Sequence, residues 1–243
     1  EEPIVQELAN EYLTEQGITI LNDVTLNSVS NDGNKPVITA NGQNYTFDAV
    51  LYATGRKPNT ANIGLEHTDI TTNEHGAIVV NDTCESSVSG VYAVGDVNGG
   101  PQFTYISLDD FRIVFGALTG NGQYTLKDRK NIPYTTFLTP PLARVGLTEE
   151  DAINKGYTVK TKEMLVATMP RAHVNDYLKG AFKIVVDAET NLILGATLYS
   201  QSAEELINLI KMAMDNNIPY TYFKNQIFTH PTMAENLNDL CNF

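Results

Sequence analysis

Two apolar runs that end in glycine limit what this chain can fold into. AVLYATG (49–55) and GVYAVGD (90–96) lack the period-two alternation of a half-solvated strand. Runs of this kind suit buried strands of an α/β sheet. In open sheets of that class, ligands gather beyond the carboxyl ends of the strands, and a glycine there lets backbone approach a cofactor. Each run predicts a buried strand with a binding edge. A strand followed by an ordinary Gly-Asp turn remains the alternative for either run alone.

The residues before the first run place it partway through an α/β unit. Ile4, Val5, Leu8, Ala9, Tyr12 and Leu13 recur at helical spacing, and Gly17 stands where a helix cap belongs. ITIL (18–21) reads as a buried strand. VTLNSVS, PVITA and NYTFD, separated by NDGNK and NGQ, read as an antiparallel meander with hairpin turns. A nucleotide-binding βαβ unit needs strand, Gly-rich turn and helix in that order. Here a helix comes first and no GxGxxG occurs. We therefore expect the C-terminal part of a longer polypeptide.

AIVV (77–80) reads as a short strand and FTYISLDDFRIVFGALTG (103–120) as a helix ended by Gly120 and Gly122. GQYTLKDRKN reads as a linker. The character then changes to α+β. YTTFL, LARVGLT, YTVKTKEML, GAFKIVVDA and LILGATLYS read as strands, and EEDAINKG as a helix capped by Thr148. SAEELINLIKMAMDNN (202–217) reads as an amphipathic helix capped by Ser202, with acids in its first turn.

Composition excludes partners more than it selects them. Sixteen Lys and Arg against 29 Asp and Glu leave a net charge of −13, with no basic stripe to displace counterions from nucleic acid or to meet an anionic membrane. No apolar run reaches the length of a membrane span, and the first residues lack a signal-peptide layout. Two cysteines far apart, Cys84 and Cys241, make no disulfide framework and point to a reducing cytoplasm. Cys84 is expected in a loop or strand edge and Cys241 in a fraying terminal helix. Neither has the basic neighbours that would activate a thiol.

Three stretches carry chemistry. Asp96 offers two acceptor oxygens suited to ribose or ribityl hydroxyls. The helix that starts near Thr104 would aim its partly positive N-terminus at an anion such as the N1–C2 region of a reduced flavin. In FTHPTMAE (228–235), Pro231 biases His230 toward an extended conformation just before the terminal helix. Glu235 is then placed to hold one ring nitrogen and leave the other free to exchange a proton. Thr232-x-x-Glu235 also fits a capping box, which would need Glu235 only to start the helix. His67, His75 and His173 fall in polar, turn-rich surroundings, and no spacing suggests a metal site.

ATGRKPNT, GVYAVGDV and FTHPTMAE, in that order and across essentially the whole chain, resemble the C-terminal portion of the flavoprotein pyridine nucleotide–disulfide oxidoreductases. That family includes glutathione reductase, lipoamide dehydrogenase and mercuric reductase. GPQFTYISLDDFRIV and NQIFTHPTMAENLNDL look closest to the bacterial subgroup that resists reactive chlorine species, including hypothiocyanous acid reductases. The resemblance implies truncated nucleotide-binding α/β portions followed by an α+β interface domain with an antiparallel sheet and flanking helices. It implies the end of an NAD(P)-binding domain at 1–54, the C-terminal part of an FAD-binding domain at 55–130, and a homodimer-forming interface domain at 131–243. It implies FAD and NAD or NADP as cofactors, with contacts from Gly55, Arg56, Gly95, Asp96, Gln102, Phe103, Thr104 and Tyr105. His230 would be the acid–base residue, oriented by Glu235, and would serve the other subunit's cysteine pair.

That cysteine pair and the Gly-rich nucleotide turns are absent from this sequence. The chain by itself is therefore not expected to catalyse the family's reaction, since exchange needs an attacking thiolate and hydride transfer a bound flavin. Mercuric reductases end in an adjacent cysteine pair, so a lone Cys241 near the end argues against mercury. NADH oxidases and coenzyme A disulfide reductases do not normally rely on a terminal His-Pro dyad and fit less well. The alternative from another class is a stand-alone dimerisation or binding module without catalysis.

Overall fold

The computed structural model describes residues 1–243, which divide into two compact units. One comprises Glu1–Leu21 with Lys130–Phe243, and the other Asn22–Arg129. No helix is long and apolar enough to cross a membrane.

The first unit is built on an antiparallel sheet. Its strands are β4 (Tyr134–Thr136), β5 (Leu142–Gly146), β6 (Val159–Leu165), β7 (Ala181–Asp187) and β8 (Ile193–Tyr199), in the order β4-β5-β8-β7-β6. All five strands lie where the sequence places them. Seven-residue β7 is buried at every position, as its near-continuous apolar run implies for a strand covered on both faces. Helices α5 (Ala203–Asp215) and α7 (Asn236–Leu240) cover one face. There Ala143, Val145, Phe182, Ile184, Val186, Ala196 and Leu198 meet Leu206, Ile207, Ile210, Leu237 and Leu240. Helix α1 (Pro3–Glu15) covers part of the other face, packing Val5 and Tyr12 against Leu142 and Tyr199. The Tyr12 and Tyr199 rings lie 5.8 Å apart, and the Tyr12 hydroxyl accepts from the Gly180 amide at 2.9 Å. Shorter helices α3 (Glu149–Asn154), α4 (Pro170–Val174) and α6 (Tyr220–Asn225) fill the connections. Thr148 caps α3 in a reciprocal box with Asp151. His173 lies exposed on α4 rather than in a loop.

A buried lysine joins α1 to the sheet. Lys183, in the middle of β7 and 4% exposed, reaches Glu2 at 2.9 Å, Glu149 at 2.7 Å and Glu163 at 3.0 Å. Glu2 also accepts from the Glu149 amide at 2.8 Å and so satisfies the start of α3.

The second unit holds the meander β1 (Leu26–Asn31), β2 (Pro36–Ala40) and β3 (Gln43–Thr46), with both φ values positive at Asn41 and Gly42 as a tight hairpin turn requires. It also holds the 16-residue helix α2 (Thr104–Thr119), stopped by Gly120 in the left-handed region.

Several expectations are corrected. ITIL, AVLYATG, AIVV and GVYAVGDV form no strands: 77–80 and 90–97 contribute only the isolated bridges Thr72–Ile78 and Glu85–Tyr92. Their composition suits a sheet, but no neighbouring strand in the chain pairs with them, and a strand cannot satisfy its backbone alone. Ser202 does not cap α5. It lies in the left-handed region at φ 64° with no side-chain bond to the helix. Cys241 does not fray, since it is fully buried in the core beneath α7. The GQYTLKDRKN stretch (122–131) is no free linker, for its Arg129 ties back to α2.

Candidate functional site

In the first unit the site is the segment between α6 and α7. His230 precedes a cis peptide bond to Pro231, and α7 begins only at Asn236, so the histidine stands further from the helix than its sequence suggests. Glu235 directly precedes α7 without a side-chain bond to that helix, and its two carboxylate oxygens do different things. Oε2 meets His230 Nδ1 at 2.7 Å. Oε1 accepts from the Thr232 amide at 3.0 Å, while the Glu235 amide donates to Thr232 Oγ1 at 3.2 Å. The capping box and the histidine contact therefore coexist in one carboxylate. Thr232 Oγ1 in turn donates to the Thr229 carbonyl at 2.8 Å.

The geometry sets the proton inventory. Burial pushes the Glu235 carboxyl up, but the Thr232 amide and the His230 ring outweigh it, and the group lies below its ordinary value. An ionised carboxylate only accepts, so Nδ1 carries the proton in this contact and Nε2 faces outward. The histidine side chain is 67% exposed and that of Glu235 is 18% exposed, so the ring projects while its anchor stays covered.

In the second unit the site is the Gly95–Tyr105 stretch. Gly95 has φ 72°, and a Cβ there would lie 2.8 Å from Ser107 Oγ, so a side chain at this turn would be strained and would crowd Ser107. Arg56 Nη1 donates to Asp96 Oδ2 at 3.0 Å, which brings the two glycine motifs together at one exposed ion pair. Residues 95–98 form a short helical turn, and Phe103, which has no side-chain acceptor to offer, precedes α2. The rings of Phe103 and Tyr105 stack at 5.0 Å. Gln102 is half-buried and Thr104 exposed beside them.

Sequence reasoning missed what holds this loop. Asp110 on α2 is fully buried and accepts from the Gly95 amide at 2.7 Å and from Asn98 Nδ2 at 2.9 Å. Its other oxygen receives Arg129 Nη2, whose Nε donates to Asp109 at 2.7 Å. The doublet Asp109-Asp110 inside a helix was the only available signal, and no spacing rule marks it. Both thiols are buried. Burial pushes Cys84 up to about 11 and Cys241 up to about 12.

Comparison with known proteins places these features. Residues 132–241 match the pyridine nucleotide-disulphide oxidoreductase dimerisation domain, and residues 1–110 match the pyridine nucleotide-disulphide oxidoreductase family itself. The chain belongs to the pyridine nucleotide–disulfide oxidoreductases, whose members are FAD-dependent and use NAD(P)H. Within that class it is 44% identical, over 94% of its length and 52% of the relative's, to the probable pyridine nucleotide-disulfide oxidoreductase RclA of Escherichia coli. A mercuric reductase of Staphylococcus aureus is 36% identical over 97% of this chain and 44% of its own. The solved structure of the HOCl-induced flavoprotein disulfide reductase RclA from Escherichia coli superimposes with a TM-score of 0.94 at 41% identity, over 99% of this chain and 55% of that one. The chain thus spans about half the length of the curated relatives it matches.

Proposed function

We propose that this chain is the C-terminal part of an FAD-dependent NAD(P)H:disulfide-type oxidoreductase in which His230 is the acid–base residue. The carrying observation is the 2.7 Å contact between His230 Nδ1 and Glu235, with the opposite edge of the ring turned outward. In this reading residues 1–54 end the NAD(P)-binding domain, 55–130 belong to the FAD-binding domain and 131–243 form a homodimer interface in a cytoplasmic enzyme.

The residues present fit such a cofactor. Asp96 presents an exposed carboxylate that accepts hydroxyls, held on the Asp110-anchored loop, and the partly positive start of α2 follows it. Arg56 reaches the same loop from the other motif. Bound FAD would supply hydride acceptance from the nicotinamide and electron delivery to a cysteine pair. The chain's own part is to hold Nδ1–H on Glu235 and to give or take a proton at Nε2 as a substrate-side thiol forms or ionises. Cys84 and Cys241, buried and with raised values, are unsuited to be that thiol.

The test is His230→Ala in the full-length enzyme. Disulfide turnover is expected to fall by about 10²–10⁴-fold, the usual contribution of a placed acid–base group, with flavin binding intact. Unchanged turnover would remove His230 from the mechanism. A yellow, flavin-loaded preparation would separate the enzyme reading from a colourless dimerisation module.

A further inference from the structure

We propose that Asn238 is a positioning residue that sets the His230–Glu235 pair from the far end of its loop; the inference rests on the acid–base reading of His230. Helix α7 has five residues, too few to hold itself in water, so its placement depends on tertiary contacts. From below, Leu237, Leu240 and Cys241 are buried in the core, and Lys162 Nζ on β6 donates to the carbonyls of Asp239 and Asn242, both at 2.7 Å. From the side, Asn238 Nδ2 donates to the Phe223 carbonyl at 2.6 Å and to the Gln226 carbonyl at 2.9 Å, with Lys224 at 3.4 Å.

Those carbonyls end α6, where helical carbonyls have no intrahelical donor. They also stand where the chain leaves α6 for His230. A side-chain carbonyl in the place of Nδ2 would face other carbonyls, so only the amide nitrogen fits there. Three residues earlier, near one turn of α7 away, Glu235 holds the histidine ring. One short helix therefore fixes both ends of the 226–235 loop, through Asn238 at its start and Glu235 at its finish. Between them Phe228 packs against the core, but Ile227 is 95% exposed and anchors nothing. Without the Asn238 amide, the segment entering His230 loses its polar anchor and keeps only the partly buried Phe228, while the Glu235 capping box survives. The ring would then be free to shift relative to its substrate.

The experiment is a double-mutant cycle in the full-length flavoenzyme with Asn238→Leu, His230→Ala and both together, using dithionitrobenzoate as the disulfide probe. Asn238→Leu is expected to lower kcat about tenfold with KM for the probe unchanged, since small displacements of an aligned group cost that much or more. Rapid reduction of the flavin by NAD(P)H should be unaffected. Asn238→Gln, which keeps the amide, should recover most of the loss. In the His230→Ala background, Asn238→Leu should add nothing, because its effect runs through the ring. Hydrogen exchange in 226–235 should quicken while β7 and β8 stay protected. If Asn238→Leu lowers the melting temperature below the assay range, Asn238→Ser removes the amide without bulk and carries the same cycle. Additive losses, or a wild-type kcat for the Asn238 variants beside a slowed His230→Ala, would overturn the proposal alone. A silent His230→Ala would instead overturn the acid–base reading.

Discussion

GAFKIVVDA (180–188) and AVLYATG (49–55) are similarly strand-like in sequence, and the molecule treats them oppositely. The first becomes β7, buried at every position from Ala181 to Asp187. The second forms no strand and leaves Leu51 88% and Tyr52 81% exposed. The difference lies in where the partners come from. β7 meets β8 across a local hairpin and β6 on its other edge, both antiparallel and both from the same stretch of chain. A buried strand of a parallel sheet instead needs neighbours delivered by long crossovers, and none reaches residues 49–55 here. The apolar clusters follow the same divide. Both lie wholly within the Glu1–Leu21 and Lys130–Phe243 unit, whereas the buried apolar residues of Asn22–Arg129 are few and mostly small. Apolar composition alone thus does not make a core; a second surface must be present to cover it.

The largest expected effect tests the denser unit. Lys183→Met removes the cation from a cluster of three carboxylates and should destabilise that unit by about 3–5 kcal/mol in urea unfolding. Burial pulls the Lys183 ammonium down, but its bonds to Glu149, Glu2 and Glu163 outweigh that, and the net shift is upward. A folded value above the unfolded one gives stability that is full below the ordinary lysine range of about 10.4 and is lost only as pH rises through the folded value. The urea midpoint should therefore not change on account of Lys183 between about pH 6 and 9. A neutral Lys183→Met would show that apolar packing alone holds β7.

A smaller loss is expected in the sparser unit. Arg129→Ala leaves the fully buried Asp110 without its cation and should cost about 1–3 kcal/mol, with faster amide exchange across Gly95–Asn98. A loss greater than that of Lys183→Met would reverse the ranking of the two units. The smallest effect is at the exposed run. Leu51→Ser should stay within about 0.5 kcal/mol of wild type in this chain. A cost above about 1 kcal/mol would mean that Leu51 is covered in solution, and sedimentation would then be expected to show self-association through it.

The local elements were legible because their causes are local. The helical spacing of Ile4 to Leu13 with Gly17 after it, the Asn-Gly hairpin turn and the Thr148 box each depend on residues within a few positions. So does the five-residue spacing from His230 to Glu235, which the structure closes to a 2.7 Å contact. Ser202 misled because serine before an acidic turn is the usual cap, yet the chain enters α5 through a left-handed residue that turns its hydroxyl elsewhere. Asn238 escaped notice for a different reason. An asparagine in a terminal helix carries no signal until the carbonyls that end α6 arrive beside it.

By itself the sequence determined α1, α2, α3, α5, the terminal helix and the antiparallel strands, and it set a histidine and a glutamate at one turn, but it left α4 and α6 unmarked and offered four strands that do not form. Only the tertiary structure decided that α1 covers the second face of the sheet, that Glu2 joins a lysine in β7, and that Asp110 and Arg129 hold the Gly95 loop. Glu2 and the Glu149 amide it caps are 147 residues apart. Periodicity within a window reports which face of an element is apolar, but it holds no information about which distant surface will cover that face. That choice was settled by shape, charge and unpaired backbone groups meeting across the folded chain.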